Sequence, residues 1–231
     1  MKRFFKDVTL GQHEGGWQVL LDGRGVKTAA KAAQLAPTRA LSEALAAEWA
    51  AQGEEIVPAS FPLRDLADYA IDIAGPTRSA VIPAVLRFAE SDTLCYRAEP
   101  DEALFGRQSQ VWEPLVTAAE ARWQVRFLRI SGVIHHAQPP ETLARLEAAL
   151  DELDGFDLAA LHTLASLAAS LIIGMAALDP DADGEALWQA SELEEIWQAE
   201  LWGSDAEAEA RAAHRFATFT AAMRFARLAK G

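Results

Sequence analysis

The sequence predicts an α+β protein, with a small mixed unit over residues 1–76 and a larger, all-helical one over 77–231. Three observations carry this. Strand-like patterning is concentrated in the first 35 residues, a Gly-Pro break falls at Gly75-Pro76, and nearly every later segment has helical periodicity.

The elements follow in order. VTL and WQVLLDG are short apolar or alternating runs, and Gly11, Gly15 and Gly16 mark a turn between strands. Asp22-Gly23 is a hairpin signal, because glycine accepts the positive φ of a tight type I′ turn. Gly25 then marks a bulge or a widening of that turn. Thr38, after Pro37, is placed to cap a helix whose Leu41, Leu45, Glu48 and Trp49 recur at three- and four-residue steps, with Gly53 as its stop. Leu41, Leu45 and Trp49 are the expected core anchors. Pro58 and Pro62 impose an extended path. Leu66, Tyr69, Ala70 and Ile73 form a further helix that ends before Gly75-Pro76. Beyond it helices are predicted over 77–90, 101–122 with a bend at Pro114, 140–153, 157–178, 184–202 and 205–229. The last opens with Ser204 and Glu207 in capping-box register. VRFLRISGVI is one short extended segment.

Composition sets the bounds. At 231 residues, 51% apolar, with seven Trp and ten Phe, the chain can bury a core without metal or disulfide staples. Its single cysteine, Cys95, excludes an internal disulfide framework and fits a reducing compartment. A net charge of -13 works against phosphate-rich ligands, so no nucleic-acid partner is expected. MKRFFKDVTL lacks the apolar run of a secretory signal. Leu158–Leu178 has no formal charge over a length that could span a bilayer, but its His162, Thr163, Ser166, Ser170 and many alanines suit a buried helix better. No membrane insertion is expected, although a membrane-tethered subunit is the reading this stretch would otherwise support.

Signatures of catalysis are missing. The glycines of GGWQVLLDGRG fit neither nucleotide-binding spacing. Asp179, Asp181, Asp183 and Gly184 begin like a calcium loop, yet Ala190 stands where the bidentate glutamate belongs, so a helix-linking turn with Asp183 as cap is expected. His135-His136 lacks metal-site spacing. No catalytic residue, cofactor or metal is assigned. An enzyme using Cys95 with a histidine, or a carboxylate pair, is the alternative function class.

The informative stretch is GEALWQASELEEIWQAELWGSD. From Asp179 to Ala210 there are eleven acidic residues and no Lys or Arg, with Trp188, Trp197 and Trp202 interspersed. Glu194, Gln198 and Trp202 recur at helical spacing, giving a partly apolar strip edged by carboxylates. Aromatic contact area with charged edges suits recognition of a protein.

Taken in order, FFKDVTL, GWQVLLDGRGVKT, LAPTRALSEALAAEWAAQGEEIVPASFPLRDLADYAID, SDTLCYR, QSQVWEPL and LEEIWQAELWG resemble the ATP synthase assembly chaperones that act on the alpha subunit of the F(1) catalytic head, found in mitochondria and some bacteria. The resemblance covers nearly the whole chain. Its most specific parts are Leu21 to Thr28, then Glu48, Trp49 and Gln52, then Pro62 to Asp72, and the E-x-x-x-Q-x-x-x-W-G of Glu194, Gln198, Trp202 and Gly203. Phe61 replaces a usual Met, and Ala169-Ser170 replaces a Gly-Ser, which is expected to alter local helix packing. The resemblance implies a small β-rich domain followed by an orthogonal helical bundle, and a client-binding protein that acts before alpha joins beta. It also implies a functional carboxylate that maps onto Glu194, with Glu195 as the neighbouring candidate, in a client-binding set with Gln198 and Trp202. A monomer acting in the bacterial cytoplasm, or in the matrix for mitochondrial relatives, is expected.

Overall fold

The computed structural model describes residues 1–132 and 134–231. Val133, inside the predicted extended segment, lies outside the described residues. The chain forms two compact units, one of residues 1–78, 154–160 and 221–231, the other of 79–153 and 161–220. The mixed-then-helical order is the one expected, but two later helical segments join the first unit, which a single cut after residue 76 does not capture.

The first unit is built on a small antiparallel sheet. Strands β1 (Val8–His13) and β2 (Gly16–Leu21) pair as a hairpin, with Val8 opposite Leu21. The Asp22-Gly23 turn has φ of 48° and 78°, both positive as a type I′ turn demands, and leads into β3 (Arg24–Gly25). The Asp22 carboxylate accepts from the Lys6 and Asp7 amides at 3.0 and 2.8 Å, so the turn also pins the incoming chain. Strand β4 (Leu35–Ala36) pairs with the other half of β2. A Cβ on Gly25 would lie 2.5 Å from the Gln18 side-chain oxygen and would displace the buried amide that donates to the Val26 carbonyl.

Helix α1 (Arg39–Ala50) starts where expected, Thr38 accepting from the Leu41 amide at 3.1 Å. It stops at Ala50, three residues before Gly53. Leu41 and Leu45 are buried, and Trp49 packs between Phe5 and Phe61 at ring separations of 5.6 and 4.7 Å. The neighbouring motif residues hold the following loop. Glu48 accepts from the amides of Leu63 and Arg64 at 2.8 and 2.9 Å, satisfying two of the orphan N–H groups at the start of α2 (Pro62–Tyr69). Gln52 accepts from the Val57 amide at 2.9 Å and donates to the Ser60 hydroxyl at 2.9 Å. A π-helical turn, Ala70–Ala74, continues α2 and puts Asp72 against the Thr28 hydroxyl at 2.6 Å. Two widely separated motif segments are thereby joined.

Helix α6 (Gly155–Ala168) begins in this unit, and α10 (Ala206–Lys230) ends in it. A Cβ on Gly155 would meet the Gly75 backbone at 3.0 Å, so only glycine admits this approach. Phe156 stacks on Phe225 at 5.8 Å, Lys230 pairs with Asp157 at 3.2 Å, and the Thr38 hydroxyl donates to the Leu228 carbonyl.

The second unit contains α3 from Ser79 onward (α3 spans Arg78–Glu90), α4 (Ala103–Trp123), α5 (Pro140–Asp151), α7 (Leu171–Ala176), α8 (Gly184–Ser191) and α9 (Leu193–Trp202), with the remaining parts of α6 and α10. It is not wholly helical. Strands β5 (Tyr96–Arg97) and β6 (Ile130–Ser131) form a short parallel ladder. Partly buried ion pairs brace this pairing. Arg97 and Arg129 both bond Glu113 at 2.7 Å, and Arg129 also bonds Glu120 at 2.5 Å. Burial pushes the Glu120 carboxyl up, but Arg129 and the Phe127 amide outweigh it and leave the pKa below its ordinary value.

Helix α4 runs through Pro114 without interruption. Two predicted helices are divided. The 184–202 segment breaks at Glu192, and the 157–178 segment breaks at Ala169, whose φ is 47°. Ser170 then caps α7, accepting from the Ile173 amide at 3.1 Å. The Ala for Gly exchange therefore matters through the backbone rather than through neighbour packing, since a left-handed conformation is costly for any residue with a Cβ. Ala169→Gly is expected to stabilise the protein by about 0.5–1 kcal/mol, read as a raised denaturant midpoint. A lowered midpoint would show that the Cβ contributes more packing than strain. The predicted Asp183 cap forms, accepting from the Glu185 and Ala186 amides at 3.0 and 3.1 Å. At α10 the cap is Asp205, accepting from Ala208 at 2.8 Å, one residue later than the predicted Ser204. Among the described residues no helix is long and apolar enough to cross a membrane.

Candidate client-binding groove

Helix α9 places Glu194, Gln198 and Trp202 one turn apart along a single face. They line, with Trp197, one side of a groove of about 680 Å³. The other side comes from residues 96–99, the start of α4 at Glu102, Ala103 and Leu104, and Gly132. A buried glutamine joins the two sides. Gln108 donates to Glu194 Oε1 at 2.6 Å and accepts from the Ala98 amide at 2.8 Å. Trp112, also fully buried, donates to the Ala190 carbonyl at 2.7 Å and fixes α4 against α8.

Glu194 is half-buried. Burial pushes its carboxyl up, the Glu195 charge adds to this, and the Gln108 amide partly offsets both. The group is a carboxylate with a single neutral donor among the described residues and no ion pair. Trp202 is 78% exposed and Leu201 55%, at the end of the same helix. Glu195 departs from the expected set. One residue is a rotation of about 100° on a helix, so Glu195 lies instead on a largely apolar cavity of about 480 Å³ with Trp188, Ile196, Ala199 and Ala212. Three of the four expected residues thus share one groove.

The residues that sequence reasoning did not assign are Tyr96, Glu99, Glu102 and Gln108. Two of the segments that carried the resemblance contain Tyr96 (SDTLCYR) and Gln108 (QSQVWEPL), but Glu99 and Glu102 have no local pattern of their own.

Cys95 is fully buried, and burial, reinforced by Asp92, pushes its thiol well above the ordinary range. A nucleophilic cysteine requires the opposite shift. Among the described residues no group of three or more His, Cys, Asp or Glu side chains could hold a metal ion.

The family model of the ATP12 chaperone protein matches residues 2–120. The chain belongs to the ATP12 chaperone family. It is an ATP synthase assembly chaperone and not an enzyme. It is 26% identical over 215 residues to mitochondrial protein atp12 of Schizosaccharomyces pombe, covering 88% of this chain and 74% of that protein. The crystal structure of Atp12 from Paracoccus denitrificans is 39% identical, with a TM-score of 0.92 over 99% of this chain and 98% of that one. An aspartate-to-lysine variant of the P. denitrificans protein has the same TM-score and identity over 99% and 97%. The mixed fold with few strands is therefore the ATP12 fold, and the Cys95 enzyme reading is set aside by both the family and the buried thiol.

Proposed function

We propose that the chain binds the alpha subunit of the ATP synthase catalytic head before alpha joins beta, and that the α9 groove is the client-binding surface. The carrying observation is Trp202, a large aromatic left 78% exposed in the same groove as a half-buried carboxylate. Aromatics in such positions dominate binding energy at protein interfaces. A subunit awaiting its partner exposes an aggregation-prone interface, and reversible cover by modest apolar anchors with an acidic rim keeps it competent for assembly. Such a chaperone needs no cofactor. It acts as a monomer, in the cytoplasm if the host is bacterial.

The test separates folding from binding. Trp202→Ala should leave thermal unfolding within about ±0.5 kcal/mol of the parent, as exposed substitutions do. Binding to freshly refolded alpha subunit should weaken by more than about tenfold. Glu194→Lys should also weaken binding, but with a stability loss of roughly 1–3 kcal/mol because Gln108 loses its acceptor. Full binding by both folded variants would remove the groove from the function.

A further inference from the structure

The acidic segment contains three tryptophans, and two of them already hold an arginine of the same chain. The Arg215 guanidinium lies 5.2 Å from the Trp188 ring centre and bonds Glu192 at 3.0 Å. The Arg107 guanidinium lies 5.6 Å from the Trp197 ring centre, and both its terminal nitrogens bond Glu200. In each case an indole face and a nearby carboxylate clasp one guanidinium. Arginine suits this arrangement because its planar, weakly hydrated cation stacks on rings and meets carboxylates with paired donors.

Trp202 is the third tryptophan, and no described cation lies over it. It lines the groove together with Tyr96, Trp197 and the carboxylates of Glu99, Glu102 and Glu194. Glu102 accepts from the Glu99 amide at 3.1 Å, whereas neither Glu99 nor Glu194 has an ion-pair partner among the described residues. Among the described residues the one cation on the groove wall, Arg97, is buried and committed to Glu113 and the Leu94 carbonyl. The groove therefore has the aromatic and anionic parts of the other two clasps without the cation.

We propose that the groove takes an arginine side chain of the client, its guanidinium against Trp202 and between the carboxylates of Glu99 and Glu194. This rests on the reading of the groove as the client-binding surface. Burial favours such an occupant, since a half-buried carboxylate with only a neutral donor gains most from a cation that brings its own hydrogen bonds.

The experiment uses the full chain and freshly refolded alpha subunit, with binding measured at two salt concentrations. Glu99→Gln removes one charge at unchanged size from a side chain without a described partner, so the fold stays intact. Trp202→Leu keeps apolar area but removes the ring, and Trp202→Phe keeps a ring. Glu99→Gln and Trp202→Leu should each weaken binding about three- to thirtyfold, the range of a desolvated cation–ring or ion-pair contact. Trp202→Phe should retain most of the affinity, and Glu99→Gln should flatten the salt dependence. A loss of binding in Trp202→Ala alone, with Glu99→Gln and Trp202→Leu behaving as the parent, would overturn the arginine and keep the groove. Parent-like binding by all of these variants would overturn both.

Discussion

Asp92→Ala is expected to destabilise the protein by roughly 3–5 kcal/mol near pH 5, through loss of hydrogen bonds to a buried carboxyl group. Asp92 has no exposed surface and accepts from the Leu94 amide at 3.1 Å and the Ile172 amide at 3.0 Å. It satisfies the turn before β5 and the start of α7 at once, 80 residues apart in sequence. Alanine would strand both amides in a site closed to water. The carboxyl also has a distinctive pH signature. Burial pushes it up from 3.8 to about 6, against the pull of the Ile172 amide, the Ser170 hydroxyl and the Leu94 amide. Between about pH 4 and pH 6 the folded protein holds this proton more tightly than the unfolded chain does. Stability contributed by Asp92 is therefore present in full below pH 4 and declines as pH rises through that window. Asp92→Asn cannot titrate, and it turns an NH2 toward one of these donors. It should be less stable than the parent, with the gap narrowing by roughly 2–3 kcal/mol from pH 4 to pH 7. Chemical denaturation of both proteins across that range measures it, and a gap that widens with pH would refute the assignment.

Trp49→Ala is the second large effect, at about 3–5 kcal/mol for truncation of a buried aromatic. The indole bridges Phe5 and Phe61, so its removal separates the chain entering the sheet from the chain entering α2. Its Nε1 has no hydrogen-bond partner among the described residues. The ring therefore stabilises by packing alone, and Trp49→Phe should cost less than about 1.5 kcal/mol. Equal losses for Ala and Phe, from denaturant midpoints, would show that the indole N–H or the second ring of the indole is what matters.

Local chemistry made several features readable in advance. Asp22-Gly23 is a turn because few other pairs tolerate two positive φ angles, and Thr38 and Asp183 cap helices because their side-chain oxygens reach the second or third amide onward. The spacing of Glu194, Gln198 and Trp202 put them on one helical face. What local chemistry could not show lies at longer range. Ala169 is a strong helix former, and long-range bonds accompany its left-handed conformation in mid-segment: its carbonyl accepts from the Thr93 amide and hydroxyl, beside the Asp92 and Ser170 caps. The parallel pairing of β5 and β6 comes from arginines and glutamates up to 32 residues apart in the chain, in segments too short to show a strand period. The opposite wall of the groove depends on Gln108, 86 residues from Glu194, and on nothing that periodicity can detect.

The single cysteine gives the molecule a built-in chemical clock. Cys95 sits directly after the Asp92 turn, enclosed and with its thiol held in the unreactive protonated form. An alkylating reagent can reach it only when that turn and its surroundings open, so the labelling rate of the native protein is the intrinsic thiol rate scaled by the open fraction. Because the same turn ties α7 to β5, one mass-spectrometric time course reads how often the interior of the second unit exchanges with an open form, without any added probe.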